Sequence, residues 1–458
     1  MLASPHTPLR FSQETRATLR LALPLAVAQL AQVGMGITDT IMVGALGRDA
    51  LAAGGLGSGL FFATGAVLQG ALVGVGILVA HARGAQQLEK IAPIVRSGFV
   101  LAIMIAAVMM PAFWFTEPVL LAMGQPAMLA HDVSGYVQIL TLCAPASMFL
   151  AVQRSYLTAM NHPRAVMIIG FGALLTNGTL NYALIHGLWG FPELGLMGSA
   201  TASAITIWGM CAAMTVAIRI TPDLRAHKVR GPLDWKLTAE LANLGWPIAV
   251  TFGVEIFLFM GSALLMGLMG TTALAAHNVT INVASLTFMV PLAISQAVNV
   301  RVGFHLGAQA PVAARQAAMV ALMLGVAFMA AMAVVMFSVP RHIALLFNLD
   351  PTIASDAEVI ALIAKLLVIA ALFQVFDGFQ SIAAGALRGY KDTRVPMMLV
   401  TAGYWGLGFP IAWVLAFPMD MGAVGLWWGL ALSLAIAAVV LGARLWGMSG
   451  RRIAEAVA

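Results

Sequence analysis

The amino-acid sequence predicts an all-α membrane protein of about twelve transmembrane helices, arranged as two parallel six-helix lobes. Three observations predict it: an apolar composition, a one-sided distribution of Lys and Arg, and an internal repeat. Of 458 residues, 61% are hydrophobic and 9% charged, against about 25% charged in an ordinary soluble domain. A surface so poor in charge needs a solvent that accepts apolar area on all sides, and lipid is that solvent. No segment alternates with period two, which excludes membrane strands.

A spanning helix takes about 20 mainly apolar residues. Such runs fall near 20–44, 51–80, 93–114, 132–153, 165–187, 195–219, 238–268, 273–302, 316–338, 356–386, 395–417 and 421–446. The first run, which follows Arg10, Arg16 and Arg20, is too long for the apolar core of a cleaved signal peptide. The termini and even-numbered loops hold 21 of the 24 basic residues, among them Arg83, Arg96, Arg154, Lys228, Arg230, Arg301 and Arg388. The odd-numbered loops hold only Arg48 and Arg341, and Lys365 falls inside a helix. This asymmetry places both termini in the cytoplasm and the chain in the cell inner membrane. It also accounts for the net charge of +6 without nucleic acid as a partner. Cys143 and Cys211 lie in apolar runs and read as packed thiols.

The stretch 221–236, with Pro222, Gly231 and Pro232, reads as a cytoplasmic linker between an N-terminal lobe (1–220) and a C-terminal lobe (237–458). Shifting 21–86 by 223 residues onto 244–309 aligns 17 identities in 66 positions without a gap. These include Pro24 with Pro247, Gly47 with Gly270, and Gly84-Ala85-Gln86 with Gly307-Ala308-Gln309. Farther along, Gly195 and Gly198 match Gly422 and Gly425. An even number of helices separates the repeats, so they share one orientation and are related by an axis along the membrane normal.

Three acids lie deep in apolar runs: Asp39, Glu255 and Asp377. A charge at the centre of an isolated membrane helix costs roughly 3 kcal/mol or more. It persists where it faces water, holds an ion or pairs with another group. No buried base is placed to offset Glu255 or Asp377, and such carboxylates suit reversible capture of a proton or a hard cation. The alternative is a protonated carboxyl bonding between helices. Asp356 and Glu358 open the tenth helix, where the helix terminus favours negative charge and a cavity mouth is the second reading. Asn177 with Asn181, and Asn278 with Asn282, share helix faces at i,i+4, and Gln29, Gln32, Gln296 and Asn299 add further polar positions. Each is open to a structural reading as a helix–helix hydrogen bond of about 0.6 kcal/mol. His277 reads as a packed histidine. Gly54-Gly55-Leu56-Gly57 lacks the strand–turn–helix setting of a nucleotide loop. With no P-loop, metalloprotease helix or nucleophile elbow, the chain is expected to be neither an enzyme nor the binder of a cofactor.

At this point the chain resembles the multidrug and toxin extrusion (MATE) family, in its NorM-type branch. The resemblance covers nearly the whole chain. It is carried by Pro24 through Ile37-Thr38-Asp39-Thr40-Ile41-Met42-Val43-Gly44, by Val290-Pro291-Leu292 through Arg301-Val302-Gly303, and by Ala384-Gly385-Ala386-Leu387-Arg388-Gly389 with Asp392-Thr393. It implies efflux of cationic and amphipathic drugs, in exchange for inward protons or sodium ions, by a monomer set in the lipid bilayer. By position it assigns Glu255 and Asp377 to a C-lobe cation site, and Asp39, Asn177, Asn181 and Thr201 to an N-lobe site. Some members place a tyrosine one turn before the tenth-helix acid; here that residue is Phe373, which removes an oxygen ligand and favours the proton. Gln32, Asn278, Asn282, Asp356 and Phe373 are further candidates for lining the cavity.

Other readings carry less. A lipid-linked oligosaccharide flippase of related architecture would hold more basic residues in its cavity. A major-facilitator carrier would show a Gly- and Arg-rich second loop, which His81 to Lys90 lacks. An intramembrane enzyme needs a metal or nucleophile constellation. A passive channel is disfavoured by the two-lobed repeat with its paired prolines.

Overall fold

The computed structural model describes residues 11–226, 231–347 and 349–457, and their regular structure is entirely helical. Arg10, Lys228 and Arg230, counted above among the orienting charges, lie outside these residues, as does part of the linker. Among the described residues, eleven helices are long and apolar enough to cross a membrane: α1 (Phe11–Gly44), α2 (Arg48–Gly84), α3 (Leu88–Trp114), α5 (Pro163–His186), α6 (Gly195–Ile220), α7 (Trp235–Leu268), α8 (Thr271–Gly307), α9 (Pro311–Ser338), α10 (Ala354–Gly389), α11 (Arg394–Ala416) and α12 (Gly422–Ala456). The twelfth, α4, is a pair, Ala127–Thr141 and Ala144–Ala159, bent by 49°.

The helices run past the apolar stretches that announce them. Arg83, Arg154, Arg301 and Arg388, assigned to loops from the sequence, therefore stand within helices. Backbone hydrogen bonding continues beyond the lipid boundary, so hydropathy marks the membrane rather than the helix end.

The internal repeat is present in backbone geometry. Gly47 and Gly270 have φ of 114° and 113°, Gln86 and Gln309 59° and 57°, and Gly195 and Gly422 52° and 55°. A Cβ added at Gly198 would lie 2.6 Å from the Leu184 carbonyl oxygen, and one at Gly425 would lie 2.6 Å from that of Leu415. Each half thus needs a glycine at the same close helix approach.

Packing divides the chain into two compact units: residues 27–249, and residues 250–458 with the beginning of α1 up to Ala26. The boundaries fall inside α1 and α7, beside Pro24 and Pro247, and not at the 221–236 linker. Both helices have 34 residues, more than the roughly 20 that one span needs. An internal proline interrupts the ladder where packing partners change. In the 27–249 unit, α5 packs on α6, and α4 packs on α2, α3 and α6. There the His162 ring nitrogen lies 2.7 Å from Asp223 Oδ2, a hydrogen bond that holds the Asp223 carboxyl below its usual range. In the other unit α10 is central, packed against α8, α9 and α12. Cys143 and Cys211 are buried and unpaired.

Candidate functional site

Within the 27–249 unit, α1 presents Asp39 to α5 and α6. Asn181 Nδ2 donates to Asp39 Oδ1 at 2.5 Å, and Ser203 Oγ donates to Asp39 Oδ2 at 3.0 Å. Asn177 Nδ2 donates to Ser203 Oγ and Asn177 Oδ1 accepts from Asn181, both at 3.3 Å. Asp39, Asn177 and Asn181 are all buried, and Asn181 Oδ1 has no hydrogen-bond partner. The i,i+4 spacing on α5 therefore does what helical periodicity requires, placing both amides on the acid. Thr201 does not join them: its hydroxyl donates to the Met197 carbonyl of its own helix at 2.8 Å. Ser203 supplies the hydroxyl instead, and a serine in a small-residue helix that also holds Ser199 gave no signal for it. The set offers carboxylate, amide and hydroxyl oxygens, a donor set suited to a proton or a hard monovalent cation.

Within the other unit, Asp377 on α10 is buried and accepts from Gln380 Nε2 at 3.3 Å. Glu255 on α7 lies within electrostatic reach of Asp377. The structure corrects, for Glu255 alone, the expectation that no base acts on either acid. The Arg388 guanidinium, three turns after Asp377 on the same helix, acts on Glu255 and sits 5.0 Å from the Phe252 ring centroid. Its sequence position beside a turn disguised it as an orienting loop charge. Phe373 is buried and packs on Phe259 and Trp427, with ring centroids 6.2 and 5.4 Å apart, and Trp427 packs in turn on His277. A hydroxyl is nevertheless present. Tyr404, on the π-helical stretch Ala402–Gly408 of α11, is buried, has no partner for its hydroxyl, and lies within electrostatic reach of both acids. Local widening of this kind is frequent at functional positions.

The remaining candidates are dispersed. Asn278 and Asn282 are exposed on α8. Asp356 Oδ2 accepts the Asp350 backbone N–H at 3.1 Å and so orders the loop before α10. Gln32 accepts from Arg154 Nη1 at 3.3 Å, and Gln29 from Arg154 Nη2 at 3.1 Å.

Buried acids in a duplicated helical bundle define a membrane carrier, a class that binds and releases without chemistry. A family model described as MatE matches residues 24–183 and 247–414, one stretch per half, with starts offset by the same 223 residues as the internal repeat. The chain belongs to this family. It is similar to the probable multidrug resistance protein NorM of Burkholderia mallei, at 45% identity over 96% of this chain and 94% of the relative. It is also similar to the multidrug resistance protein NorM of Burkholderia vietnamiensis, at 46% over 95% and 94%. Among solved structures, a crystal structure of a eukaryotic MATE transporter, AtDTX14, superposes with TM-score 0.85 at 20% identity, covering 97% of this chain and 99% of that one. A crystal structure of MATE in the bent conformation gives 0.87 at 16%, covering 99% and 100%.

Proposed function

We propose that the protein exports cationic and amphipathic compounds across the inner membrane in exchange for inward protons or sodium ions, by alternating access of its two halves. The observation that carries this reading is the presence of a separate buried carboxylate site in each half. The names of the NorM relatives support efflux of drugs. A carboxylate in a low-dielectric site is costly when empty, and a proton, a sodium ion or a cationic drug relieves that cost. Drug and coupling ion then compete for one negative charge, which is the reciprocal coupling that antiport needs. Phe373 offers no oxygen, but the unpartnered Tyr404 hydroxyl lies within reach of both acids, so the reading keeps both proton and sodium as coupling ions.

Asp39→Asn tests the first-half site. The variant is expected to fold, because an amide fills the same space, and to lower dye efflux from vesicles by about fivefold or more, the lower end of typical coupling strengths. Efflux and ion dependence equal to wild type would leave Asp39 as a structural hydrogen-bond acceptor.

The orientation is tested by single cysteines at Lys236 and Thr271, both exposed. Gly231 is a poorer choice, since its φ of 150° disfavours a side chain. An impermeant thiol reagent is expected to reach Thr271→Cys from outside and Lys236→Cys only after permeabilisation. Labelling of both from outside refutes the twelve-span orientation.

A further inference from the structure

Arg388 stands in the last turn of α10, half-buried. The base of its side chain is fixed. Ser295 Oγ of α8 donates to the Ser381 carbonyl at 2.7 Å, and a Cβ at Gly389 would lie 2.9 Å from the Asn299 carbonyl oxygen, so α10 ends pressed against α8. From there the guanidinium reaches α7, 5.0 Å from the Phe252 ring centroid, within the range of cation–π attraction. Phe252 and Glu255 are three residues apart and are neighbours on one helix face, and the Arg388 charge acts on Glu255. The pair is not closed. Among the described residues neither side chain makes a hydrogen bond or an ion pair, so Glu255 keeps its oxygens for an incoming cation.

The internal repeat shows that this placement is built into the fold. The 223-residue shift places Gln29 on Phe252 and Gln32 on Glu255. In the first half, Arg154 of α4 donates to both amide oxygens, at 3.1 and 3.3 Å. Each half thus brings a guanidinium to the same two positions of its first helix. In the first half that guanidinium is bonded to neutral amides, whereas in the second it faces an aromatic ring and a carboxylate. Asp377 lies within electrostatic reach of Glu255, so two acids share one arginine. With both acids ionised, the site carries a single net negative charge.

We propose that Arg388 is a tethered counter-cation of the Glu255 site, which fits that site to organic cations of a single charge and disfavours dications. The inference rests on the efflux reading, in which the acids receive the drug, and adds to it the charge of the substrate. A guanidinium does not lose its proton in proteins, so its contribution is constant while the acids exchange ligands. Contact with the Phe252 ring holds it beside the acid without neutralising it. Against two uncompensated carboxylates in a partly desolvated site, a dication gains twice the attraction of a monocation, and a carrier that holds its cargo so tightly releases it slowly. The Arg388 charge subtracts from both attractions, and twice as much from that of the dication.

The test is equilibrium dialysis of the full-length protein in neutral detergent, at alkaline pH to limit competition from protons. The ligands form a matched series: neutral 4-phenylpyridine, the monocation N-methyl-4-phenylpyridinium and the dication methyl viologen. Arg388→Met and Arg388→Gln are expected to bind the monocation about tenfold and the dication about a hundredfold more tightly than wild type does, the size of one and of two Coulomb contacts in a partly hydrated site. Both are expected to bind the neutral ligand as wild type does and to elute with it on size exclusion. Arg388→Lys, which keeps the charge, is expected to bind all three as wild type does. Unchanged cation binding in both neutral variants, a gain that does not rise with ligand charge, or an equal gain in Arg388→Lys overturns the proposal. Efflux of N-methyl-4-phenylpyridinium by wild-type vesicles is measured alongside. Its absence together with a charge-graded gain rejects the efflux reading and keeps the counter-cation. Its presence without such a gain rejects the counter-cation alone.

Discussion

Glu255→Gln, and separately Asp377→Asn, are expected to abolish gradient-driven efflux of a cationic dye while leaving expression near normal. Each substitution holds the site permanently in its neutral state, so neither drug nor ion finds the charge for which they compete. Normal expression is expected because a neutral amide is easier to bury than a carboxylate. The two variants should differ in kind. Glu255→Gln leaves the Arg388 charge without its opposing carboxylate, which adds repulsion to the loss of attraction. Asp377→Asn removes an acid that accepts from Gln380 and leaves the attraction between Arg388 and Glu255 in place. Dye binding should therefore fall further in Glu255→Gln than in Asp377→Asn. The measurement is dye efflux from inverted vesicles under an imposed pH gradient without sodium, with dye binding by fluorescence polarisation. Robust efflux by either variant removes that acid from the mechanism. Wild-type efflux that responds only to sodium reassigns the coupling ion.

The twelve helices were legible because a membrane leaves a long, one-dimensional signal. Runs of about 20 apolar residues and the side preference of Lys and Arg are both local properties. The repeat was legible for a related reason: the glycines that bring backbones together at Gly198 and Gly425 tolerate no side chain, so both copies keep them. Of the first-half site, Asp39, Asn177 and Asn181 could be found, since one is an intramembrane acid and two share a helix face. Ser203 could not, because a serine in a small-residue helix signals only close packing. Arg154 and Arg388 were hidden by the same positive-inside rule from which the orientation is expected. An arginine at a cytoplasmic helix end looks identical whether it faces headgroups or folds back into the bundle. The division at Pro24 and Pro247 was equally hidden: hydropathy reports where a helix meets lipid, not which neighbours it packs against.

The contact least accessible from sequence joins residues 287 positions apart, and breaking it is expected to have the largest effect on stability. Glu14, in the first turn of α1, is 1% exposed. Arg301 Nε donates to Glu14 Oε1 at 2.8 Å and Arg301 Nη2 donates to Glu14 Oε2, a two-point pairing, with His305 Nε2 3.5 Å from the same carboxylate. The beginning of α1 is thereby fastened to α8 inside the 250–458 unit. A buried ion pair contributes little net stability beyond an apolar pair of similar size, because both partners lose their hydration. Removing one partner is different, since the other is left buried and uncompensated, at a cost of about 3–5 kcal/mol. Glu14→Leu and Arg301→Met should each lose stability on that scale, whereas the two combined should recover most of it. The check is chemical denaturation in detergent followed by tryptophan fluorescence, analysed as a double-mutant cycle. Single variants that lose less than about 1 kcal/mol would class the pair with solvent-screened surface bridges. A double variant as unstable as the two singles summed would show that the side chains act independently, through packing rather than through their charges.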